Sequence, residues 1–294
     1  MINTPPIKIA IASGKGGTGK TLTATNLFYL LQNESLPVTL VDCDAEEPNS
    51  MVFFNAEASQ IKNVIQKNPV IDIDKCTFCG RCHEYCNYNA IFFLPEQSTI
   101  QVIDDLCHGC GACSVACNDG AITEREVTLG TVSNYPISPN ARVIEARMGI
   151  GIYSPVSIIK EAIKEAGNNN IVLMDAPPGT SCPFIQTVSR ADFVVLVTEP
   201  TPFGLSDLKQ SVDTLKTMGK SCGVIVNRAG LGDNGVYTYL KEANIPLLME
   251  IPFDKSIAAD YSNGKFILNS RPELAKEFKK MFESIVNNYG ASSN

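Results

Sequence analysis

Two groups of residues have the types and the spacing that chemistry requires, and the first is a set of cysteines. Eight of the eleven cysteines lie between residues 76 and 117, in two identical C-x2-C-x2-C-x3-C patterns. Each cysteine of the first pattern recurs 31 residues later in the second, so the stretch is an internal repeat. Clustered cysteines in a chain without secretory features indicate metal ligands rather than disulfides.

The spacing of each pattern is similar to that of bacterial ferredoxins with two 4Fe–4S clusters, and we predict two such clusters here. The resemblance implies that the fourth cysteine of each pattern crosses over to the other cluster. Zinc is the main alternative, although zinc usually takes its four ligands as two pairs. The first expected ligand set is Cys76, Cys79, Cys82 and Cys117, and the second is Cys107, Cys110, Cys113 and Cys86.

The neighbours of these cysteines depart from the ferredoxin pattern in one respect. A proline usually follows each fourth cysteine in ferredoxins, whereas Asn87 and Asn118 stand there in this chain. This change affects the reduction potential and the stability of the clusters but removes no ligand. His83 and His108 also adjoin cluster cysteines. Because eight thiolates suffice for two clusters, we expect both histidines on the surface, with ligation as the alternative.

The second group of residues forms a glycine-rich loop. Residues 14–21, GKGGTGKT, match G-x-x-x-x-G-K-[ST] between a strand-like run and a helical pattern. Glycines let backbone N–H groups surround phosphate oxygens, while the following helix points its positive end at them. We expect Lys20 at the outer phosphates and the Thr21 hydroxyl at Mg²⁺. The candidate ATP- or ADP-binding residues are Gly14, Lys15, Gly16, Gly17, Thr18, Gly19, Lys20 and Thr21.

Lys15, a second lysine at the start of this loop, resembles the deviant Walker A lysine of the MinD/ParA/Mrp ATPases. The resemblance covers about residues 1–58 and 127–294. VTLVDCDAEEPN (38–49) is similar to switch I of that family, and LMDAPPGT (173–180) is similar to its Walker B and switch II segments. TEPTPFGLSDL and VNRAG resemble two later family segments.

The resemblance implies roles for single residues. Asp42 and Asp175 would lie near Mg²⁺, directly or through water, together with Thr21. Asp44 would orient the attacking water, and Asn227 would pair with adenine. The alternatives are ordinary strand-end carboxylates at the two switch I positions and a turn residue at Asn227.

The resemblance also implies a dimer that encloses two nucleotides, formed on ATP binding with a second copy or a paralogue. Lys15 would then reach the phosphates of the partner, where a cation stabilises the charge that develops on transfer. The implied enzyme is a Mg²⁺-dependent ATPase, slow and stimulated by a partner. Its catalytic residues would be Lys15, Lys20 and Asp44.

The elements that must position these residues alternate along the chain. Apolar strands separated by helical patterns indicate an α/β fold with a doubly wound, mostly parallel sheet. The stretch 59–126 has short segments and little helical periodicity, and we predict an inserted α+β ferredoxin-like domain there. The P-loop ATPase domain would then comprise 1–58 and 127–294. Buried strands are predicted at 7–12, 38–42, 171–175, 193–197, 222–226 and 245–251.

Two later segments are predicted as helices. SPVSIIKEAIKEAG (154–167) has a possible N-terminal cap at Ser154 and a C-terminal cap at Gly167. The final segment, PELAKEFKKMFESIVNNY, has one apolar stripe. Because its polar face mixes lysines with glutamates, we expect it to pack on the core, with membrane-surface binding as the alternative.

The composition of the chain limits the classes of partner that we expect. The formal net charge is −7 and no basic run stands out, so nucleic acid is not an expected partner. Apolar residues make up 44% of the chain, enough for a sizeable core. No apolar run approaches the roughly 20 residues that span a bilayer, and the first residues lack a signal-peptide pattern. We therefore expect a cytoplasmic protein.

Three cysteines lie outside the repeat. Cys43 ends one apolar strand and Cys222 begins another, so both are expected in or near the core. Cys182 follows the segment similar to switch II, seven residues after Asp175. This spacing resembles that of a cluster ligand in the nitrogenase iron protein. Both a structural thiol and a transient metal or cluster ligand remain open for Cys182.

The combined features suggest an ATP-hydrolysing iron–sulfur protein. A branch of the MinD/Mrp-like ATPases has an inserted ferredoxin domain, and this sequence resembles that branch. We expect nucleotide-dependent dimerisation to be coupled to electron transfer, or to metallocluster assembly, on a partner protein. The first alternative is a ParA/MinD-like switch whose clusters are structural or only aid docking. The second is an electron carrier with a vestigial ATPase.

Overall fold

The computed structural model describes residues 5–168 and 171–289, so the extreme ends of the predicted ATPase domain lie outside the described residues. Its strands are β1 (Ile7–Ala12), β2 (Val38–Asp42), β3 (Gln60–Ile71), β4 (Ile91–Leu94), β5 (Thr99–Val102), β6 (Ile122–Ser138), β7 (Ala141–Met148), β8 (Ile171–Asp175), β9 (Phe193–Thr198), β10 (Cys222–Ala229) and β11 (Leu247–Pro252). Its helices are α1 (Lys20–Asn33), α2 (Arg81–Glu84), α3 (Ala112–Ala116), α4 (Val156–Ala166), α5 (Cys182–Val188), α6 (Pro202–Thr217), α7 (Gly235–Glu242), α8 (Lys255–Ser262), α9 (Ile267–Ser270) and α10 (Pro272–Tyr289).

Nine strands form one sheet in the order β11-β10-β9-β1-β8-β2-β7-β6-β3. Every pairing from β11 through β7 is parallel. The prediction of a mostly parallel α/β sheet is therefore confirmed. The strands at its centre are continuous apolar runs because helices cover both faces of such a sheet.

The sequence did not predict the long strands β6 and β7. In β6, most side chains near the start are exposed, and buried positions appear only from Leu129 onwards. In β7, Glu145 and Arg147 interrupt the apolar pattern. Neither strand has a continuous apolar run, β6 because it is partly exposed and β7 because the buried Glu145 interrupts it, which explains why both escaped prediction.

The predicted helix at 154–167 begins two residues later than expected, at Val156. Gly167 follows its last residue with a φ of 75°, as expected of a left-handed C-terminal cap. The final helix, α10, packs on the core through its apolar stripe, as predicted. The buried residues of that stripe are Leu274, Phe278, Met281, Phe282 and Ile285.

Within the described residues, no helix is sufficiently long and apolar to cross a membrane. The stripe of α10 joins the core cluster that includes Ile7 of β1, Leu27 of α1 and Phe193 of β9. Burying each large apolar side chain of this kind stabilises the fold by about 1.5–3 kcal/mol. Core packing is thus the role of α10 in this structure.

The chain divides into two compact units. The larger unit comprises the residues up to 62, residues 132–147, and the residues from 156 onwards. The smaller unit comprises residues 63–131 and 148–155. It overlaps the predicted insert at 59–126 but also takes in the segment that follows β7, which the sequence had assigned to the ATPase domain.

The smaller unit repeats its own structure. Short helices α2 and α3 follow Gly80 and Gly111, whose φ angles are 78° and 74°. These glycines stand at equivalent positions of the sequence repeat, and the left-handed conformation favours glycine at both. Strands β4 and β5 pair antiparallel between the two helices, with Ile91 opposite Val102. The internal repeat in the sequence is thus a structural repeat as well.

Candidate functional site

The glycine-rich loop connects β1 to α1 in the larger unit and lies against β10. The Asn227 amide Nδ2 donates a hydrogen bond to the Thr18 carbonyl at 2.7 Å. Gly19 has a φ of 102°, and a Cβ there would lie 2.4 Å from that same Nδ2 atom. Ser13 donates to the Lys15 carbonyl at 2.6 Å. Only glycine fits at position 19, so sequence and packing together fix the loop conformation.

Two carboxylates lie side by side at the carboxyl ends of β2 and β8. Asp42 and Asp175 are register partners on these neighbouring parallel strands. The Asp42 carboxylate accepts backbone N–H bonds from Asp44, Asn49 and Ser50 at 3.1, 3.0 and 2.9 Å. Burial raises the pKa of Asp42, and the hydrogen bonds from Ser50 and Asp44 oppose that rise.

Asp175 has fewer partners than Asp42. The Thr21 hydroxyl donates to its Oδ2 atom at 2.6 Å. Its Oδ1 atom is buried and has no hydrogen-bond partner among the described residues. Burial raises the pKa of Asp175, and repulsion from Asp42 raises it further. A buried oxygen without a partner, beside a second carboxylate and a hydroxyl, fits a divalent cation such as Mg²⁺.

Lys20 lies near the carboxylates of Asp175 and Asp44. Its side chain is buried, which lowers its pKa, while Asp175 and Asp44 raise it. Burial also raises the pKa of Asp44, against the opposing charge of Lys20. The structure thus places the side chains of Lys20, Thr21, Asp44 and Asp175 close to one another.

Lys15 is paired within its own chain. Its Nζ atom lies 3.4 Å from Oε2 of Glu199, and NH1 of Arg228 lies 2.7 Å from the other oxygen of that carboxylate. Glu199 is buried, so two cations share one desolvated carboxylate. The sequence analysis did not single out Glu199 or Arg228, although both lie within segments that it quoted. Their pairing depends on the approach of β9, β10 and the loop, which a linear pattern does not reveal.

A cavity of about 380 Å³ opens beside the loop in the larger unit. Glycines of the loop form one end, and apolar side chains near α8 form another part of the wall. A volume of this size is typical of small-molecule sites. The polar end suits phosphates and the apolar wall suits a base. The residues from the α8 region are Pro252, Phe253, Ile257, Ala258 and Tyr261, none of which the sequence analysis named.

Two further cavities, in the smaller unit, are lined by the cysteines of the repeat. They divide the eight cysteines into two groups, each with three from one pattern and the fourth from the other. One cavity is lined by Cys76, Cys79, Cys82 and Cys117. The second is lined by Cys107, Cys110, Cys113 and Cys86.

Backbone N–H groups donate to four of these sulfur atoms in a repeated pattern. Phe78 and Gly109 donate to Cys76 and Cys107, each at 3.4 Å. Ala90 and Ala121 donate to Cys86 and Cys117, each at 3.3 Å. Such donors stabilise thiolates, the form that binds iron.

In the part of the chain that the structure describes, no three His, Cys, Asp or Glu side chains are grouped closely enough for a single metal ion. Four thiols around a shared cavity, with N–H donors to the sulfur atoms, suit the several iron atoms of a 4Fe–4S cluster better than one zinc ion.

Both histidines of the smaller unit are exposed, as expected. The Nδ1 atom of His83 lies 2.7 Å from the Ile91 carbonyl oxygen. The His108 ring stacks on Tyr88, with ring centroids 3.9 Å apart. Each imidazole therefore has a protein partner of its own.

The three other cysteines differ in exposure. Cys43 is fully buried, which confirms its core position, and burial raises the pKa of its thiol. Cys222 is partly buried at the start of β10. Cys182 is exposed at the first position of α5.

The parallel α/β sheet and the glycine-rich loop between β1 and α1 are typical of P-loop nucleotide-binding proteins. The chain belongs to the CobQ/CobB/MinD/ParA nucleotide-binding domain family, whose model matches residues 9–267. It is 30% identical to the uncharacterized protein MJ0579 of Methanocaldococcus jannaschii, over 88% of this chain and 91% of that one.

Two other similarities bear on chemistry and on fold. The chain is 23% identical to an iron-sulfur cluster carrier protein of Aquifex aeolicus, over 92% of this chain and 64% of that protein. It superimposes on the septum site-determining protein MinD of Pyrococcus horikoshii, complexed with Mg-ADP, with a TM-score of 0.57 and 21% identity. That alignment covers 97% of this chain and 99% of the MinD chain, and it shows a MinD-like fold.

Proposed function

We propose that this protein binds and hydrolyses ATP and holds two 4Fe–4S clusters, and that its nucleotide state controls electron transfer to, or metallocluster assembly on, a partner protein. The observation that carries the proposal is the presence of both kinds of site in one chain. One unit has a P-loop cavity, and the other has two cavities that each combine three cysteines of one pattern with the fourth of the other.

In the nucleotide cavity, each residue already described has a role. Loop N–H groups and Lys20 bind the phosphates, and a bound Mg²⁺ would neutralise phosphate charge. Thr21, Asp42 and Asp175 hold the cation site. Asp44 lines the cavity, where it would orient the attacking water.

Lys15 would leave Glu199 to reach the phosphates of a second copy. In the present structure the Lys15 ammonium group pairs with Glu199 of its own chain. Phosphate oxygens carry more negative charge than one carboxylate, so an exchange of partners is electrostatically favourable. Dimerisation on ATP binding is the consequence that we expect.

The arrangement of the cysteines around the two cavities favours permanently bound clusters. Each cavity is supplied by both halves of the repeat, so losing a cluster would require both halves to open. The named role of the Aquifex aeolicus relative, cluster carriage, supports assembly rather than electron transfer. Delivery needs a more labile ligand, and the exposed thiol of Cys182 is the candidate.

A nucleotide switch with structural clusters is the second candidate. It is favoured by the division of the chain, since the nucleotide cavity lies in the larger unit and both cysteine cavities lie in the smaller one. In that case a folded protein without clusters would keep its ATP-dependent association.

An anaerobic redox titration tests the proposal. EPR of the reduced clusters would be followed without nucleotide, with ADP and with a non-hydrolysable ATP analogue. We expect about eight iron atoms per chain. We also expect nucleotide to shift a potential by more than about 30 mV, or ~0.7 kcal/mol for a one-electron couple. Lys20→Ala is the control, because it should bind iron normally and show no shift.

The outcomes separate the candidates. Firmly bound iron without any shift would favour the nucleotide switch. A protein that binds nucleotide but takes up no iron on reconstitution would overturn the cluster assignment.

A further inference from the structure

The two cysteine cavities of the smaller unit are lined from equivalent positions of the repeat, yet the residues at two of these positions differ in kind. The residue after the first cysteine of a pattern is Thr77 in one half and His108 in the other. The residue two places after the fourth cysteine is Tyr88 in one half and Asp119 in the other. Because each cavity takes its fourth cysteine from the other half, Thr77 and Asp119 line the first cavity. Tyr88 and His108 line the second.

The two members of each pair contact each other. The Thr77 hydroxyl donates to Oδ2 of Asp119 at 2.7 Å. The rings of Tyr88 and His108 stack, with centroids 3.9 Å apart and an angle of 19° between the ring planes. All four residues are exposed, so each pair lies between its cavity and the solvent. We call Thr77 with Asp119 the polar cover, and Tyr88 with His108 the aromatic cover.

The formal charge of the lining does not distinguish the two cavities. The first cavity has one basic residue, Arg81, and one acidic residue, Asp119. The second cavity also has one of each, Lys67 and Glu124, whose charged atoms lie 4.0 Å apart. The N–H bonds to the sulfur atoms have matching lengths in the two halves as well. The covers are therefore the clearest chemical difference on the solvent side of the two sites.

The two covers oppose the entry of water and small solutes to different extents. A hydrogen bond between two exposed polar groups exchanges readily for hydrogen bonds to water, so its net contribution is small. Stacked rings have no such exchange, because separating them exposes apolar surface on both rings to water. A small solute should therefore reach a cluster behind the polar cover sooner than a cluster behind the aromatic cover.

We propose that the aromatic cover shields the cluster of the second ligand set, and that the cluster of the first ligand set, behind the polar cover, exchanges its iron with the surroundings more readily. The inference rests on the presence of two clusters, which is part of the proposed function. It deepens that function by naming the cluster that is held more firmly and the cluster whose iron can move to or from a partner.

Iron release to a neutral chelator tests the proposal. The purified protein, with about eight iron atoms per chain, is mixed with bipyridyl and excess dithionite in the absence of oxygen. The absorbance of the ferrous complex is followed with time. Dithionite supplies the electrons that reduce ferric iron, sulfide leaves with protons from water, and the cysteines remain as thiols. The chelator is neutral so that the charge of Asp119 does not itself set the rate.

We expect iron to leave the parent protein in two phases of about four iron atoms each. The slow phase should be about threefold to tenfold slower than the fast one, the range that one aromatic stack provides. Release of all the iron in a single phase would overturn the proposal.

Exchanging the covers between the cavities gives matched variants. Tyr88→Asp with His108→Thr gives both cavities the polar cover, so all iron should leave in one fast phase. Thr77→His with Asp119→Tyr gives both cavities the aromatic cover, so all iron should leave in one slow phase. Tyr85→Ser is the control, because this exposed tyrosine lines neither cavity, and it should leave both phases unchanged. Two phases that persist unaltered in either exchange would overturn the proposal.

Failure of this inference is distinguishable from failure of the proposed function. A chain that takes up no iron on reconstitution overturns the cluster assignment itself. A chain with about eight iron atoms that releases them in one phase overturns only the inference from the covers. If a double variant does not fold, Tyr88→Ser alone should accelerate the slow phase and leave the fast one unchanged. An unaltered slow phase in Tyr88→Ser would overturn the proposal.

Discussion

At the scale of single residues, the pairing of Asp42 with Asp175 decides where a proton resides in the metal-free site. Three backbone N–H groups stabilise the charge on Asp42, whereas Asp175 has one hydroxyl donor and one oxygen without a partner. Both carboxyls are buried, and two adjacent charges repel each other. Burial and repulsion from Asp42 therefore raise the pKa of Asp175, so Asp175 is the carboxyl that holds a proton more readily, and a bound cation would displace that proton.

This argument predicts the pH dependence of stability in metal-free protein. A carboxyl whose pKa is raised on folding binds more protons in the folded state, so stability is lost as the pH rises above its ordinary value of about 4. We expect Asp175→Asn to remove part of this loss and to be more stable than the parent at pH 8, by on the order of 1–2 kcal/mol. Urea unfolding at pH 5 and pH 8 in the presence of a chelator measures this.

The exposed Asp213 provides the control, as Asp213→Asn should leave the pH dependence unchanged. A parent protein equally stable at both pH values would show that Asp175 is already ionised without metal.

Asn227 allows a second prediction at this scale. Its Nδ2 atom donates to the Thr18 carbonyl, and its Oδ1 atom accepts the N–H of Arg228. Because both polar atoms already have partners, we expect Asn227→Ala to act through the loop. ADP and GDP should then both bind about tenfold more weakly, with their affinity ratio unchanged. Calorimetry with both nucleotides measures this, and Asn234→Ala is the control.

A selective loss of ADP affinity would instead support the adenine-pairing role that the family resemblance implies for Asn227.

At the scale of elements, the smaller unit shows how a sequence repeat can build two sites that neither half completes. The helices α2 and α3 begin after left-handed glycines, and each is followed by the fourth cysteine of its pattern. Strands β4 and β5 lie between the two loops along the chain. Each half thus contributes three cysteines to one cavity and one to the other.

This arrangement predicts which cysteine variants resemble one another. Cys117→Ser should impair the same cluster as Cys76→Ser, and Cys86→Ser should impair the same cluster as Cys107→Ser. The reason is that each pair lines one cavity. EPR of the reduced variants, with iron analysis, should give two classes of spectrum. Cys222→Ser should match the parent.

If Cys117→Ser instead resembled Cys107→Ser, the fourth cysteine would serve its own half, and the crossed arrangement would be wrong.

At the scale of the whole molecule, the family resemblance implies association on ATP binding, and the pairing of Lys15 shows what must change. Lys15 and Arg228 now share the buried carboxylate of Glu199. We expect light scattering with an ATP analogue and Mg²⁺ to show doubling of the mass of the parent. Lys15→Ala should bind the analogue and remain monomeric, because the cation that joins two copies is gone. Lys276→Ala, on α10, should behave as the parent.

A Lys15→Ala protein that still dimerises would assign the association to other contacts, and Lys15 would then act only within its own chain.

The sequence by itself determined the parts of this protein that depend on local pattern. The glycine-rich loop, the central apolar strands and the repeated cysteines follow from short spacings, since backbone conformation and helix or strand period act over a few residues. The partly exposed β6 and the mostly buried β7, whose apolar run is broken by Glu145, escaped because their burial depends on distant neighbours rather than on a continuous apolar run.

Only the tertiary structure decided which distant residues meet. Glu199 pairs with Lys15 across 184 residues, and Asn227 supports Thr18 across 209. Tyr261 joins the lining of the nucleotide cavity from a helix that has no motif of its own. Such contacts arise where the carboxyl ends of parallel strands converge at one edge of the sheet. Sequence spacing contains no information about that convergence, because the crossover connections between parallel strands vary in length without changing which strands are neighbours.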